Sequence, residues 1–136
     1  MNRRIALFRA LLLGCAVLTP VAARPGQADD APKPPTVQLI VDYGDGVQKH
    51  FTALPWKEGM TVFDALEAAQ KHPRGIKAVY RGKGETAFLT QIDDLENEGR
   101  GRNWIYRVNG ELAKKSFAIL TLKAGDTILW FFGEYR

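Results

Sequence analysis

TVQLIVDYGDGVQKHFTALP (residues 36–55), followed by WKEGMTVFDALEAAQKHP (residues 56–73), decides the fold. Val37, Leu39, Val41 and Tyr43 recur every second position, so Thr36 to Asp42 reads as a strand with one apolar face. Gly44-Asp45-Gly46 is a turn signal, and Val47, Lys49, Phe51 and Ala53 alternate in a returning strand. The period then changes. Thr61 is a good N-cap and Asp64 stands three residues on, the spacing of a capping box with negative charge in the first turn. Phe63, Leu66 and Ala69, flanked by Val62, form one apolar stripe on a helix of about ten residues. His72-Pro73-Arg74-Gly75 ends it, because proline cannot continue the backbone ladder.

Short strands are expected downstream at Ile76–Tyr80 and Ala87–Ile92, joined by the loop Arg81–Glu85. A polar stretch from Asp93 to Arg102 leads into a strand over Asn103–Val108, with Trp104, Tyr106 and Val108 on one face. Asn109-Gly110 marks a tight turn, and a return runs through Ser116–Leu122. Thr127–Phe132 is apolar on both sides and is expected to be central or doubly covered. A ββα unit followed by further strands predicts an α+β, β-grasp-like fold: a mixed sheet curled around one main helix.

Composition removes whole classes of function. The 136 residues leave room for one domain. The formal charge is +4, but Arg3, Arg4 and Arg9 lie at the extreme N-terminus. Without them sixteen basic groups face fifteen acidic ones, a net +1, and no long-range field remains to collect phosphates. Nucleic acid is therefore not the expected partner. With Cys15, Ser116, His50 and His72 as the only residues of their types, most nucleophile triads and all-protein transition-metal sites are excluded.

Residues 1–23 have the parts of a secretory signal peptide: basic Arg3 and Arg4, the uncharged run Leu11–Leu18, and small residues at Val21-Ala22-Ala23. Cleavage is expected after Ala23, with Gly26-Gln27-Ala28 as a second site. The apolar run is too short to span a bilayer, so no transmembrane helix is expected in the mature form. Leu12-Leu13-Gly14-Cys15 also resembles a lipobox, which would anchor the chain through a lipid on Cys15. Residues 24–35 carry four prolines and read as an extended, disordered linker ahead of a domain at 36–136. The chain is thus expected to be exported, periplasmic or extracellular, with a lipoprotein as the alternative.

Three segments resemble a known family in order and spacing. They are Gly59-Met60-Thr61-Val62-Phe63-Asp64-Ala65-Leu66, Trp104-Ile105-Tyr106-Arg107-Val108-Asn109-Gly110, and Leu122-Lys123-Ala124-Gly125-Asp126-Thr127-Ile128-Leu129-Trp130. Together they resemble the C-terminal domain of transcobalamin and intrinsic factor and its single-domain bacterial relatives of unknown function. The resemblance implies a β-grasp-like fold. In the animal carriers such a domain forms one wall of a cobalamin site, with a large helical domain opposite that this chain lacks. A corrinoid is the ligand the resemblance implies.

No catalytic constellation stands out. Asp93, Asp94, Glu96 and Glu98 fail the register of a calcium loop, since the twelfth position from Asp94 is Ile105. Gly82-Lys83-Gly84 lacks the following Lys-Ser/Thr of a phosphate loop and reads as a hairpin loop. Trp104, Tyr106, Trp130 and Phe132 read either as core against Phe63 and Leu66 or as an aromatic ligand wall. The ligand-site expectation places Trp104 and Tyr106 beside a concave site, Arg102 and Asn103 as hydrogen-bonding groups at its rim, and Trp130 in the same aromatic cluster. The expected function is a non-enzymatic, cofactor-free binding module for a small molecule. An envelope protein–protein interaction domain is the alternative.

Overall fold

A computed structural model describes residues 31–135. The signal-peptide and lipobox readings, and residues 24–30 of the linker, lie outside them. The fold is α+β and dominated by sheet. Strands β1 (Thr36–Asp42), β2 (Gln48–Pro55), β3 (Ala78–Arg81), β4 (Phe88–Ile92), β5 (Leu95–Glu96), β6 (Asn103–Val108), β7 (Glu111–Leu112) and β8 (Thr127–Gly133) accompany one α-helix, α1 (Val62–Lys71), among the described residues. The larger sheet has the order β2-β1-β8-β6-β7, and β3-β4-β5 form a second, smaller sheet. β1 and β8 run parallel at the centre, each with an antiparallel neighbour outside it.

Alternation along β1 does what its pattern dictates: Val37, Leu39 and Val41 are fully buried. In β2 the alternation breaks. Val37 faces Leu54 while Leu39 faces Phe51, so three steps on β2 match two on β1. This bulge turns Leu54 inward and leaves Ala53 exposed, the reverse of what strict alternation predicts for Ala53.

The helix start satisfies its orphan donors in full. Thr61 N–H donates to Asp64 Oδ2 at 2.9 Å and Asp64 N–H to Thr61 Oγ1 at 3.3 Å, completing the capping box. The two donors between them are met from elsewhere: Val62 N–H bonds Leu120 O at 3.0 Å and Phe63 N–H bonds Phe117 O at 2.9 Å. Residues 116–122 are therefore not a strand returning along β6. They form a turn over the helix start, joined to it by one bridge between Thr61 and Thr121.

Val62, Ala65, Leu66 and Ala69 bury the helix's inner stripe. Phe63 is only half-buried and packs at the edge of the core, against buried Phe117 and the more exposed Tyr80. β8 is central, as its composition predicts, but covered on one side. Ile128, Trp130 and Phe132 are buried, whereas Leu129 and Phe131 are half-exposed, the latter under the Arg107 guanidinium at 5.4 Å. Among the described residues no helix is long and apolar enough to cross a membrane.

Candidate functional site

Two strands of opposite direction build an aromatic wall. β6 presents Trp104 and Tyr106 on its inner face; across the ladder Trp104 faces Phe132 and Tyr106 faces Trp130. The ring centroids of Tyr106 and Trp130 stand 4.7 Å apart, those of Trp104 and Phe132 5.2 Å. Phe117, delivered by the turn over the helix, sets its ring edge-on to Trp130 at 5.5 Å. The start of β4 lies opposite β6, and between them opens a cleft of about 410 Å³. Trp104, Tyr106, Trp130, Phe117 and Leu89 line its inner part, while Phe88 and Tyr135 line it from exposed positions.

Most polar groups here are already committed. Trp104 Nε1–H donates to Leu95 O at 2.8 Å, Tyr106 Oη–H to Lys115 O at 2.5 Å, and Ser116 Oγ–H to Ala87 O at 2.8 Å. Asn97 ties the sheets together, accepting from Trp104 N–H and donating to Leu89 O, both at 2.8 Å. Burial pushes the Tyr106 phenol up to about 12, so it stays neutral at any physiological pH. One donor is left over: Trp130 Nε1–H is buried without a partner among the described residues. Such a group costs about 1–3 kcal/mol in desolvation.

Of the five residues expected at a ligand site, the structure brings Trp104, Tyr106 and Trp130 together and sets Arg102 and Asn103 apart. Arg102 donates to Glu98 through its backbone at 2.7 Å and its guanidinium at 3.0 Å, and that guanidinium lies 5.0 Å from the Phe132 ring centre. These bonds hold the Glu98 carboxyl below its usual 4.5. Asn103 accepts from Gly99 N–H and donates to the carbonyls of Gly99 and Gly101. Both side chains are spent closing the 98–103 loop on itself. Asn103 borders a separate depression that shares Phe88 and Asn97 with the cleft.

Sequence reading misses Phe117, Phe88 and Tyr135. Phe117 follows Lys114-Lys115-Ser116 with no periodic neighbours. Phe88 shares the strand phase of buried Ile92. A register irregularity between β3 and β4 leaves Phe88 exposed while Leu89 and Ile92 are buried, so alternation in the sequence points the wrong way.

A family model for a domain of unknown function, DUF4430, matches residues 59–134, more than half of the chain. The chain belongs to the DUF4430 family. The matched stretch contains α1, both strands of the aromatic wall and nearly the whole cleft lining. Among solved structures the chain is similar to a protein from Ruminococcus gnavus ATCC 29149 titled a "putative metal binding protein". The TM-score is 0.59 at 16% identity, covering 75% of this chain and 99% of that one, a likeness of fold. No curated protein matches the sequence. Among the described residues no three His, Cys, Asp or Glu side chains gather as a metal site would require.

Proposed function

We propose that this DUF4430 protein is an exported, non-enzymatic binding module whose β-grasp-like core presents an aromatic cleft to a small, flat, largely apolar ligand. The observation that carries this reading is the cleft itself. An opening of about 410 Å³ falls in the usual range of ligand pockets, and its wall is a closely packed set of aromatic rings. Exposed Phe88 and Tyr135 offer rings that a ligand would cover. Metal binding is named for the Ruminococcus gnavus protein; here the aromatic lining of the cleft is what supports an organic ligand. If the transcobalamin-like resemblance extends to function, a corrinoid would rest against this cleft by an edge and not enter it whole, given the volume.

The test is a thermal-shift and tryptophan-fluorescence panel of bicyclic aromatics, flavins and corrinoids on the wild type and on Ala113→Phe, which fills the cleft. Saturable stabilisation of the wild type that disappears in A113F supports the reading; no stabilisation by any compound overturns it. A second reading, an envelope protein docking on the smaller sheet, is favoured by Val79, Tyr80 and Phe88, all at least 40% exposed there. Alanine substitutions at Val79 and Tyr80, neither of which lines the aromatic cleft, would weaken that docking and leave small-molecule binding intact.

A further inference from the structure

We infer that the ligand of the aromatic cleft carries a neutral hydrogen-bond acceptor, a carbonyl or an unprotonated ring nitrogen, that is received by Trp130 Nε1–H. This rests on the proposed small-ligand reading and sharpens it to a chemical class. The three tryptophans of the chain differ in one respect. Trp56 Nε1–H donates to Leu122 O at 3.0 Å and Trp104 Nε1–H to Leu95 O at 2.8 Å, whereas Trp130 Nε1–H has no acceptor among the described residues. Trp130 is also the most enclosed of the cleft's rings with a polar atom, only 2% exposed. Folded proteins seldom leave such a donor unpaired, and when they do the group commonly has a use.

The surroundings select the acceptor's charge. Beside the buried indole the side-chain donors of Trp104, Tyr106 and Ser116 are committed to backbone carbonyls, and the charged groups that line the cleft, Lys115 and Glu85, are on exposed residues. A carboxylate pressed against a single neutral N–H would lose its hydration for one bond, which is unfavourable. A cation would meet a donor and be repelled. A neutral acceptor gains one bond and relieves an orphan. Trp130 lines the cleft with its nitrogen buried between neighbours, the rings of Tyr106 and Phe117 standing 4.7 and 5.5 Å from the indole. These two rings must therefore move aside when the acceptor enters.

The experiment uses two bicyclic probes of one shape, quinoline and naphthalene, at pH 8, where the quinoline nitrogen is unprotonated. Indole N–H cross peaks in a ¹H–¹⁵N spectrum report each tryptophan separately, assigned through Trp56→Phe and Trp104→Phe. The expected result is a downfield shift of the Trp130 peak with quinoline and not with naphthalene. Trp130→Phe should then weaken quinoline about tenfold and leave naphthalene unchanged. If both probes bind and the Trp130 peak does not move, or W130F weakens both equally, the inference is overturned while the cleft stands. If neither probe binds, the small-ligand reading falls and this inference with it. Should W130F fail to fold, the wild-type spectra alone decide.

Discussion

The hydroxyl of Tyr43, just past the end of β1, donates to the carboxylate of Asp93, fifty positions away in the turn between β4 and β5. That bond ties the larger sheet to the smaller one that forms the far side of the cleft. Asp93 sits at φ 52°, a left-handed conformation that Asp tolerates, and accepts in addition from Lys77 N–H at 2.8 Å and Lys49 Nζ at 3.1 Å. Burial works against its charge, but the Tyr43 hydroxyl, the Lys77 amide and the Lys49 ammonium together outweigh burial and hold the carboxyl below its usual 3.8.

Acid should therefore loosen the two sheets. A carboxyl whose folded value is depressed stabilises the fold fully above its unfolded value and loses that stabilisation as pH falls through the folded value. Denaturant unfolding between pH 6 and pH 2 should show stability falling below about pH 4. Asp93→Asn keeps the shape and the tolerated φ but removes the charge. It should cost about 1 kcal/mol at neutral pH and flatten the acid limb. An unchanged acid limb in D93N would contradict the assignment.

Alkali should act through the phenols, with the opposite sign. Burial of Tyr106 raises it to about 12, and burial together with the Asp93 bond raises Tyr43 as well. The folded state holds these protons more tightly than the unfolded chain, so stability is whole below pH 10 and lost as pH climbs through the folded values. Spectrophotometric titration at 295 nm should show two late-titrating tyrosines. Tyr106→Phe should remove one of them, at a cost of about 1 kcal/mol for the lost bond to Lys115 O.

The turn after β1 separates two glycines by what surrounds them. A Cβ on Gly44 would fall 2.5 Å from Phe132 O, and its φ is +74°; at Gly46, φ +94°, nothing lies within 4 Å. Gly46→Ala should cost only the backbone strain, about 1 kcal/mol. Gly44→Ala adds a backbone clash against the strand that carries Trp130, and should cost about 2–4 kcal/mol. Equal melting temperatures for the two variants would contradict this packing.

How much was legible in the sequence follows from which forces are local. β1, the Thr61 cap, the helix stop at His72-Pro73 and the turn at Asn109-Gly110, where both residues have positive φ, depend on neighbours in the chain and were readable. The bulge that turns Leu54 inward depends on register with β1, and the turn at 116–122 on two helix amides needing carbonyls. Neither leaves a periodic trace. Trp104, Tyr106 and Trp130 were legible as a cluster because alternation on adjacent strands puts them on one face. Arg102 and Asn103 looked like rim groups because they precede the aromatics. The loop at 98–103 consumes both, and only its three-dimensional closure reveals that.

The central claim is that the cleft between β4 and β6 receives a flat apolar ligand, and side-chain chemical-shift mapping with quinoline tests it most directly. The account predicts saturable shifts confined to the rings of Phe88, Trp104, Tyr106, Phe117, Trp130 and Tyr135, lost in A113F. Shifts centred elsewhere on the domain, or saturable shifts that persist in A113F, would contradict it.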